Sequence, residues 1–339
     1  MGIREALVRV NGALEKIMPL ITPTAILVGV LSGTRLTAYE WAVPWIFAVM
    51  TFVGSLKTSF ADMARVLRRP GKLLWLLAIL HVVMPLIGWA AGSLFFSDDP
   101  YVVTGFVLLF VIPTGVVSVV WVTIYNGNLA LTLALILIDT LLSPLIVPAS
   151  LHVLMGAAVE IRTWEMMKGL LWMIVVPSAA GMLLNQWTKG SVNRTWGPPL
   201  APLVKVGLFA VVAINGSTIS GELRHADARM ATIIAVTLAT VVTGYLIGWA
   251  VSSWFRWNRE DSVAVQFNSG MRNLSAGAVL AVQYFPPAVS LPVISGMLFQ
   301  QVLAATFGWR IGRSLGKGED PAGLAAPGSR ESEERRLSL

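Results

Sequence analysis

The sequence predicts an all-α polytopic membrane protein of ten transmembrane helices, arranged as two five-helix repeats of opposite orientation. Three observations lead to this prediction: the composition, the spacing of the apolar stretches, and a pair of helix breaks at matching positions. Of the 339 residues, 55% are hydrophobic and only 13% are charged, and the mean hydropathy is +0.72. Soluble domains carry about 25% charged residues, so this composition excludes a soluble enzyme and a nucleic-acid-binding protein.

Ten apolar stretches are long enough to cross a hydrocarbon core of about 30 Å, which takes roughly 20 helical residues. The connections between them are short and leave no room for a second domain. The predicted spans are residues 17–35, 38–57, 73–96, 102–125, 128–155, 165–187, 200–221, 230–255, 263–285 and 288–310.

The two ends of the chain differ from the spans. Residues 1–16 place apolar and basic side chains on different helical faces, which predicts an amphipathic helix lying at the membrane interface. Residues 314–339 are charged and rich in glycine and proline, so we expect a disordered cytoplasmic tail. The first repeat then covers residues 17–155, and the second, inverted repeat covers residues 165–313.

The basic residues set the orientation of the spans. Ten spans place both termini on one side, and a cytoplasmic N-terminus leaves most of the 25 lysines and arginines in inner segments. Because basic segments are retained in the cytoplasm, we predict a multi-pass protein of the cell (inner or plasma) membrane with both termini inside. The outer segments then hold Arg35, Arg162, Lys168, Arg224 and Arg229.

The fourth and ninth spans are each interrupted near their centres. Pro113-Thr114-Gly115 interrupts the fourth span, and Asn268-Ser269-Gly270 interrupts the ninth. Proline removes a backbone donor and glycine weakens a helix, so both spans are predicted to be broken. Paired breaks at matching positions of inverted halves indicate the binding site of a transporter. The alternative is that these are ordinary prolines and glycines, which are frequent in membrane helices.

Polar side chains are predicted at a similar depth in several spans: His81 in the third, Asp139 in the fifth, Asn215 in the seventh and Arg272 in the ninth. A charge at this depth is costly, so Arg272 needs a partner. Three interpretations stay open: a structural pair with Asp139, occupation of a vacated cation site, or a contact with a substrate carboxylate. His81 either relays protons or forms a hydrogen bond between helices.

Seven short motifs, two of them at the helix breaks, resemble the motifs of one known protein family. They are Pro113-Thr114-Gly115-Val116-Val117-Ser118, Asn126-Gly127-Asn128-Leu129-Ala130-Leu131, Asn268-Ser269-Gly270-Met271-Arg272-Asn273, Phe285-Pro286-Pro287, Leu291-Pro292, Arg68-Arg69-Pro70 and Met84-Pro85. Together they resemble the bile acid:sodium symporter family over roughly residues 17–313. The resemblance implies a panel domain of spans one, two, six and seven, and a core domain in which the broken fourth and ninth spans cross. It also implies that sodium and an organic anion bind beside that crossing.

The family's sodium ligands map onto this chain with several departures. Ser118 and Thr132 match family ligands, whereas Asn268 replaces the bridging glutamate and Arg272 replaces a glutamine. A sodium site needs anionic or carbonyl oxygens, and a guanidinium about 4 Å away would repel the ion by roughly 4 kcal/mol at an effective dielectric of 20. We therefore expect no cofactor, and bound sodium is disfavoured. Other family ligand positions hold Leu80, Val119 and Ile136.

These observations predict a secondary transporter of a small organic anion, a carboxylate, that works by alternating access without sodium. Membrane lipid is the other expected partner, and protons are an alternative coupling ion, with Asp139 as their carrier. The predicted substrate-binding residues are Thr114, Gly115, Ser118, Asn268, Ser269, Arg272 and Asn273; the coupling charges are Arg272, Asp139 and His81; the remaining ion-site positions are Ser118, Thr132 and Asn268.

Two other functions stay open. One is a sodium-dependent symporter of organic anions or bile acids, and the other is a receptor of the same fold that binds its ligand without moving it. An enzyme is not expected, because the sequence contains no His-Glu-x-x-His or Gly-x-Ser-x-Gly motif. The chain has no cysteine and only three scattered histidines, which also excludes a cysteine metal site or a thiolate nucleophile.

Overall fold

The computed structural model describes residues 7, 9–12, 14, 18–60, 71–221 and 227–314. Most of the predicted interfacial helix and, from residue 315 onward, the predicted tail lie outside these residues. The Arg68-Arg69-Pro70 motif lies outside them too. Over the ranges given, the secondary structure is helical, with one isolated backbone bridge and no strand.

Seven α-helices make up the described part of the first half of the chain. They are α1 (Met18–Ser32), α2 (Val43–Ser55), α3 (Gly71–Ala78), α4 (Met84–Phe96), α5 (Pro100–Val111), α6 (Ser118–Ile124) and α7 (Leu129–Met155). A 3₁₀ helix over Gly33–Ala42 joins α1 to α2, and a π turn over Ile79–Val83 joins α3 to α4.

The second half repeats this count within the residues that the structure describes. Its helices are α8 (Thr163–Leu170), α9 (Val176–Trp187), α10 (Ser191–Thr218), α11 (Ala228–Trp254), α12 (Arg259–Gly270), α13 (Leu274–Tyr284) and α14 (Ser290–Ser314). A π turn over Leu171–Val175 joins α8 to α9, and a 3₁₀ turn over Pro287–Val289 precedes α14.

Seven helical stretches of the described residues are long and apolar enough to cross a membrane. They are Leu20–Ser55, Gly71–Phe96, Leu129–Met155, Thr163–Trp187, Ser191–Thr218, Ala228–Trp254 and Pro287–Ile311. Two shorter apolar helices, α5 and α13, adjoin the predicted breaks. The prediction of an all-α polytopic membrane protein is therefore confirmed.

The connection between the first two predicted spans differs from the expected loop. The chain stays helical from α1 through the 3₁₀ helix into α2, and Gly33 adopts a φ of 60° where the direction changes. Glycine reaches this left-handed conformation without the steric cost that a Cβ imposes. Short 3₁₀ turns are common connectors, whereas a run of ten residues is unusually long, and the polar stretch after Gly33 gives no apolar period that would identify it.

Both π turns lie directly before a helix whose second residue is proline. Pro85 follows the turn that contains His81, and Pro177 follows the turn over Leu171–Val175. Proline has no N–H, and its ring clashes with the carbonyl of the residue four positions earlier. Each π turn accommodates one extra residue just before the proline, and such π bulges occur frequently at functional sites.

The helices pack in two groups. In the first group, α1 and α2 pack against α10, and α2 also packs against α9. In the second, α4 packs against α5, α11 against α12, and α14 against α5, α11 and α13. The groups touch where α10 meets α13 and where α1 meets α14. The two broken segments both belong to the second group.

Candidate functional site

Three helices, α3, α7 and α12, are tied together where they begin. The buried carboxylate of Asp261, in the first turn of α12, accepts a hydrogen bond of 2.7 Å from Nδ2 of Asn128 and contacts the ammonium of Lys72 at the start of α3. Asn128 is also the N-cap of α7, since its Oδ1 accepts from the backbone N–H of Leu131 at 3.0 Å. Because the N-terminal ends of α3, α7 and α12 are joined, the three helices begin at one level of the protein and run from it in the same direction.

This shared start brings three ionisable side chains to one depth. His81, Asp139 and Arg272 come nine, eleven and eleven residues after Lys72, Asn128 and Asp261, respectively. At 1.5 Å per residue, these intervals rise by about 14 to 17 Å. The side chains therefore reach the same level, and the structure brings them into one cluster.

The two broken segments pair with each other through their backbones. Thr114 and Arg272 form an isolated antiparallel bridge. Unwound backbone at membrane depth needs such partners, because no water is available to satisfy its polar groups. Two hydrogen bonds flank the bridge: the N–H of Gly115 donates to the carbonyl of Met271 at 2.9 Å, and the N–H of Asn273 donates to the carbonyl of Pro113 at 2.8 Å.

Gly115 permits this close approach of the two backbones. A Cβ at this position would lie 2.9 Å from the carbonyl oxygen of Arg272, which is closer than real Cβ contacts come. A larger residue would therefore push the breaks apart. The glycine is needed here for space, since its φ is not in the left-handed region.

His81, Thr114, Asp139 and Arg272 form what we call the charged cluster. Oδ2 of Asp139 accepts from both the backbone N–H and the hydroxyl of Thr114, each at 2.6 Å. The same oxygen lies 3.9 Å from Nη1 of Arg272, and Oδ1 lies 3.2 Å from Nε2 of His81. The carboxylate is fully buried and the guanidinium is 2% exposed, so this cluster lies inside the protein and away from lipid.

Arg272 also has two partners that the sequence did not indicate. Its Nη2 donates to the carbonyl of Phe110 at 2.5 Å, and its backbone N–H donates to Oε1 of Gln300 at 3.0 Å. In an unbroken helix the carbonyl of Phe110 would accept from the N–H of Thr114. Here that N–H donates to Asp139, so the break frees a carbonyl that the guanidinium then uses.

Ser118, Thr132 and Asn268 form a second group, which we call the amide cluster. Oδ1 of Asn268 accepts from the hydroxyl of Ser118 at 2.8 Å, and its Nδ2 donates to Oγ1 of Thr132 at 3.0 Å. All three residues are buried. The three remaining ion-site positions of the prediction are therefore adjacent, and Asn268 links α6 to α7 through the oxygen and the nitrogen of its side-chain amide.

The other predicted site residues have separate surroundings. Ser269 is buried, and its hydroxyl has no hydrogen-bond partner in the part of the chain that the structure describes. The side chain of Asn273 is half-buried and caps α13 by accepting from the N–H of Ala276 at 3.3 Å. Asn215 is buried in α10, with both amide atoms unpartnered among the described residues, and it belongs to neither cluster.

Comparison with known proteins gives a family match over most of the chain. The model of the SBF-like CPA transporter family matches residues 21–309. The uncharacterized protein YbaS of Bacillus subtilis is 47% identical over 296 residues, which is 87% of this chain and 97% of YbaS.

Two further relatives carry transporter names. The uncharacterized sodium-dependent transporter YocS of Bacillus subtilis is 23% identical over 271 residues, covering 79% of this chain and 83% of YocS. The probable sodium/metabolite cotransporter BASS3 of rice chloroplasts is 24% identical over 316 residues, covering 90% of this chain and 71% of BASS3.

Proposed function

Because the chain belongs to the SBF-like CPA transporter family, of the bile acid:sodium symporter type, we propose that it carries a small organic anion across the cell membrane without sodium. Family membership makes the protein a multi-pass membrane transporter and not an enzyme. The observation that carries the finer proposal is the buried guanidinium of Arg272, held between two helix breaks and opposite Asp139.

We propose the ten-span architecture of two inverted repeats, with both termini cytoplasmic. The packing of α1, α2, α9 and α10 in one group agrees with a panel domain, and the packing of α4, α5, α11, α12, α13 and α14 in the other agrees with a core domain. The pairing of the two breaks supports their crossing inside that core. In this arrangement, movement of the panel against the core would open the site to each side in turn.

The residues at the family's sodium positions do not fit a sodium ion in this chain. Asn268 contributes a neutral amide where a carboxylate would be needed, and its oxygen already accepts from Ser118. The hydroxyl of Thr132 already accepts from the same amide. The guanidinium of Arg272 adds a fixed positive charge beside the neighbouring break. We therefore infer that Arg272 supplies permanently the positive charge that a bound ion would bring.

The same guanidinium suits a carboxylate substrate. A guanidinium carries five N–H donors in a fork that matches a carboxylate, and the side chain of Arg272 makes two hydrogen bonds here. Its Nε has no partner among the described residues. The unpartnered hydroxyl of Ser269 is a second available donor. Since Arg272 is 2% exposed, a substrate reaches it only when the protein opens, as alternating access requires.

A thermal-shift screen tests the proposal on purified protein in detergent. The probes are acetate, lactate, pantoate, benzoate and cholate, each as a choline salt and again with sodium chloride added. We expect at least one carboxylate to raise the melting temperature equally with and without sodium. Arg272→Gln should lose this shift, whereas Arg162→Gln, at an exposed position, should keep it. Stabilisation that requires sodium would contradict the proposal.

Transport itself needs a second measurement, because binding alone is also what a receptor would do. Proteoliposomes loaded with the unlabelled carboxylate should take up labelled carboxylate by counterflow, and they should do so in choline buffer. Binding without counterflow would favour the receptor alternative.

A further inference from the structure

We propose that His81 is a proton-binding site of this carrier, and that its protonation releases Arg272 from Asp139 so that the guanidinium can bind the substrate carboxylate. This inference rests on the proposed transport of an organic anion. It assigns the coupling ion and the residue that takes it up. The carrier would then bind one proton together with each monocarboxylate.

His81 and Arg272 approach different oxygens of the Asp139 carboxylate. Nε2 of His81 lies 3.2 Å from Oδ1 of Asp139, and Nη1 of Arg272 lies 3.9 Å from Oδ2. The shorter distance belongs to the histidine, although only the arginine is permanently charged. Both ring nitrogens of His81 are buried and make no aligned hydrogen bond within the described ranges. A proton added to this ring therefore displaces no existing hydrogen bond and meets a carboxylate.

The charge of the buried cluster makes the proton and the anion depend on each other. With a neutral imidazole, Asp139 and Arg272 cancel. A bound monocarboxylate would leave an uncompensated negative charge in the protein interior, which is costly. A proton on His81 restores neutrality. Either ligand alone charges the cluster, whereas both together leave it neutral.

The surroundings of His81 contain few other ionisable groups. The π turn packs against α3, α4 and α5, whose described ionisable residues are Lys72 and Tyr101. Lys72 is nine residues before His81 and pairs with Asp261, and Tyr101 is in the first turn of α5, far from the break. From α7, the facing group is Asp139. The carboxylate of Asp139 and, behind it, Arg272 therefore dominate the electrostatics of the imidazole.

The proposed step is a proton transfer in which an O–H bond of a hydronium ion breaks, an N–H bond forms on the imidazole, and neutral water is left. The side chain of His81 is 11% exposed, whereas that of Asp139 is fully buried, and both ring nitrogens are buried in this state, so the proton enters through the imidazole only when the protein opens. Water delivers it to the free ring nitrogen, and the imidazolium pairs with Oδ1. Thr114 keeps its two hydrogen bonds to Oδ2. Asp139 is then neutralised by His81, and the fork of Arg272 is available to the substrate.

Proton uptake on binding tests this inference. The probe is the member of the carboxylate panel with the largest thermal shift, added to purified protein in weakly buffered choline chloride between pH 6 and 8, where these acids are ionised. We expect uptake of up to one proton per anion, and an affinity that falls by up to tenfold per pH unit on the alkaline side, which is the dependence for one linked proton. His81→Gln should abolish both effects. His152→Gln, at an exposed residue near the end of α7, should leave both unchanged.

The outcomes separate this inference from the proposed function. If none of the five carboxylates binds the wild-type protein, the proposed function is wrong. If one binds with no proton uptake and with an affinity independent of pH, carboxylate binding stands and the proton site is wrong. Uptake that persists in His81→Gln would also overturn the assignment. If His81→Gln does not fold, His81→Asn, which also carries a neutral amide, takes its place, and absence of proton uptake by the wild-type protein overturns the inference without any variant.

Discussion

The charged cluster and the amide cluster lie at the same pair of helix breaks, yet their hydrogen bonding differs. In the amide cluster, the amide of Asn268 uses both its oxygen and its nitrogen, and none of the side-chain polar atoms of Ser118, Thr132 or Asn268 is left unpartnered. In the charged cluster, Nε of Arg272, Oδ1 of Asp139 and both ring nitrogens of His81 lack an aligned partner among the described residues.

This difference separates a structural role from a responsive one. A fully satisfied buried network holds its members in one arrangement, whereas a partly satisfied network keeps free donors and acceptors at a cost in stability. We therefore regard the amide cluster as a neutral link between α6, α7 and α12. The charged cluster keeps unpartnered donors and acceptors, in agreement with the proposed binding of a proton and an anion.

Removing the guanidinium should have the largest effect on stability. Arg272→Gln leaves Asp139 as a buried carboxylate without its nearest permanent cation. Breaking a buried pair by removing one partner costs about 3–5 kcal/mol of the free energy of unfolding. Chemical denaturation in detergent, followed by tryptophan fluorescence, measures this loss.

The double variant Arg272→Gln/Asp139→Asn distinguishes lost charge pairing from lost packing. Neutralising both partners removes the unpaired charge, so we expect most of the lost free energy of unfolding to return. Carboxylate binding should not return, because the guanidinium is still absent. A double variant as unstable as the single variant would show that packing of the long arginine side chain, and not its charge, holds the breaks together.

Removing the hydroxyl of Thr114 should have an intermediate effect. Thr114→Val keeps the shape of the side chain but removes one of the two hydrogen bonds to Oδ2 of Asp139. A hydrogen bond to a charged group contributes about 1.5–3 kcal/mol to the free energy of unfolding, and we expect a loss of this size. Thr104→Val is the matched control, since this buried hydroxyl bonds only to a carbonyl of its own helix. An equal loss in both variants would contradict a special role for Thr114.

The sequence predicted the polar centre because its determinants are local. Proline and glycine identify the breaks, and the costs of buried charge single out Arg272 and Asp139. Similar distances from the inner ends of their predicted spans then place His81, Asp139 and Arg272 at about one depth. These features follow from residue type and spacing, so no tertiary information is needed to expect a cluster.

The partners of the guanidinium could not be predicted in the same way. The carbonyl of Phe110 becomes available only because Asp139, a residue of another helix, takes the N–H of Thr114. Gln300 accepts a backbone N–H that the second break exposes. The π turn at His81 also escaped prediction, because a proline such as Pro85 within an apolar stretch does not reveal how the helix adjusts. These features depend on which backbone groups the breaks and the π turn leave free. That depends on packing between helices and cannot be read from neighbouring residues in the sequence.

Removing the hydroxyl of Ser118 should have the smallest effect on stability, and it tests whether the amide cluster is only a structural link. Ser118→Ala leaves the oxygen of Asn268 buried without its donor, which should cost about 1 kcal/mol of the free energy of unfolding. Ser143→Ala is the control, because this buried hydroxyl bonds only to a carbonyl within its own helix. If Ser118 has no part in substrate binding, carboxylate affinity and its dependence on pH should match the wild-type values in both variants. A loss of affinity confined to Ser118→Ala would instead place the substrate against the amide cluster. Asn268 and its neighbours would then be part of the binding site and not only a structural link.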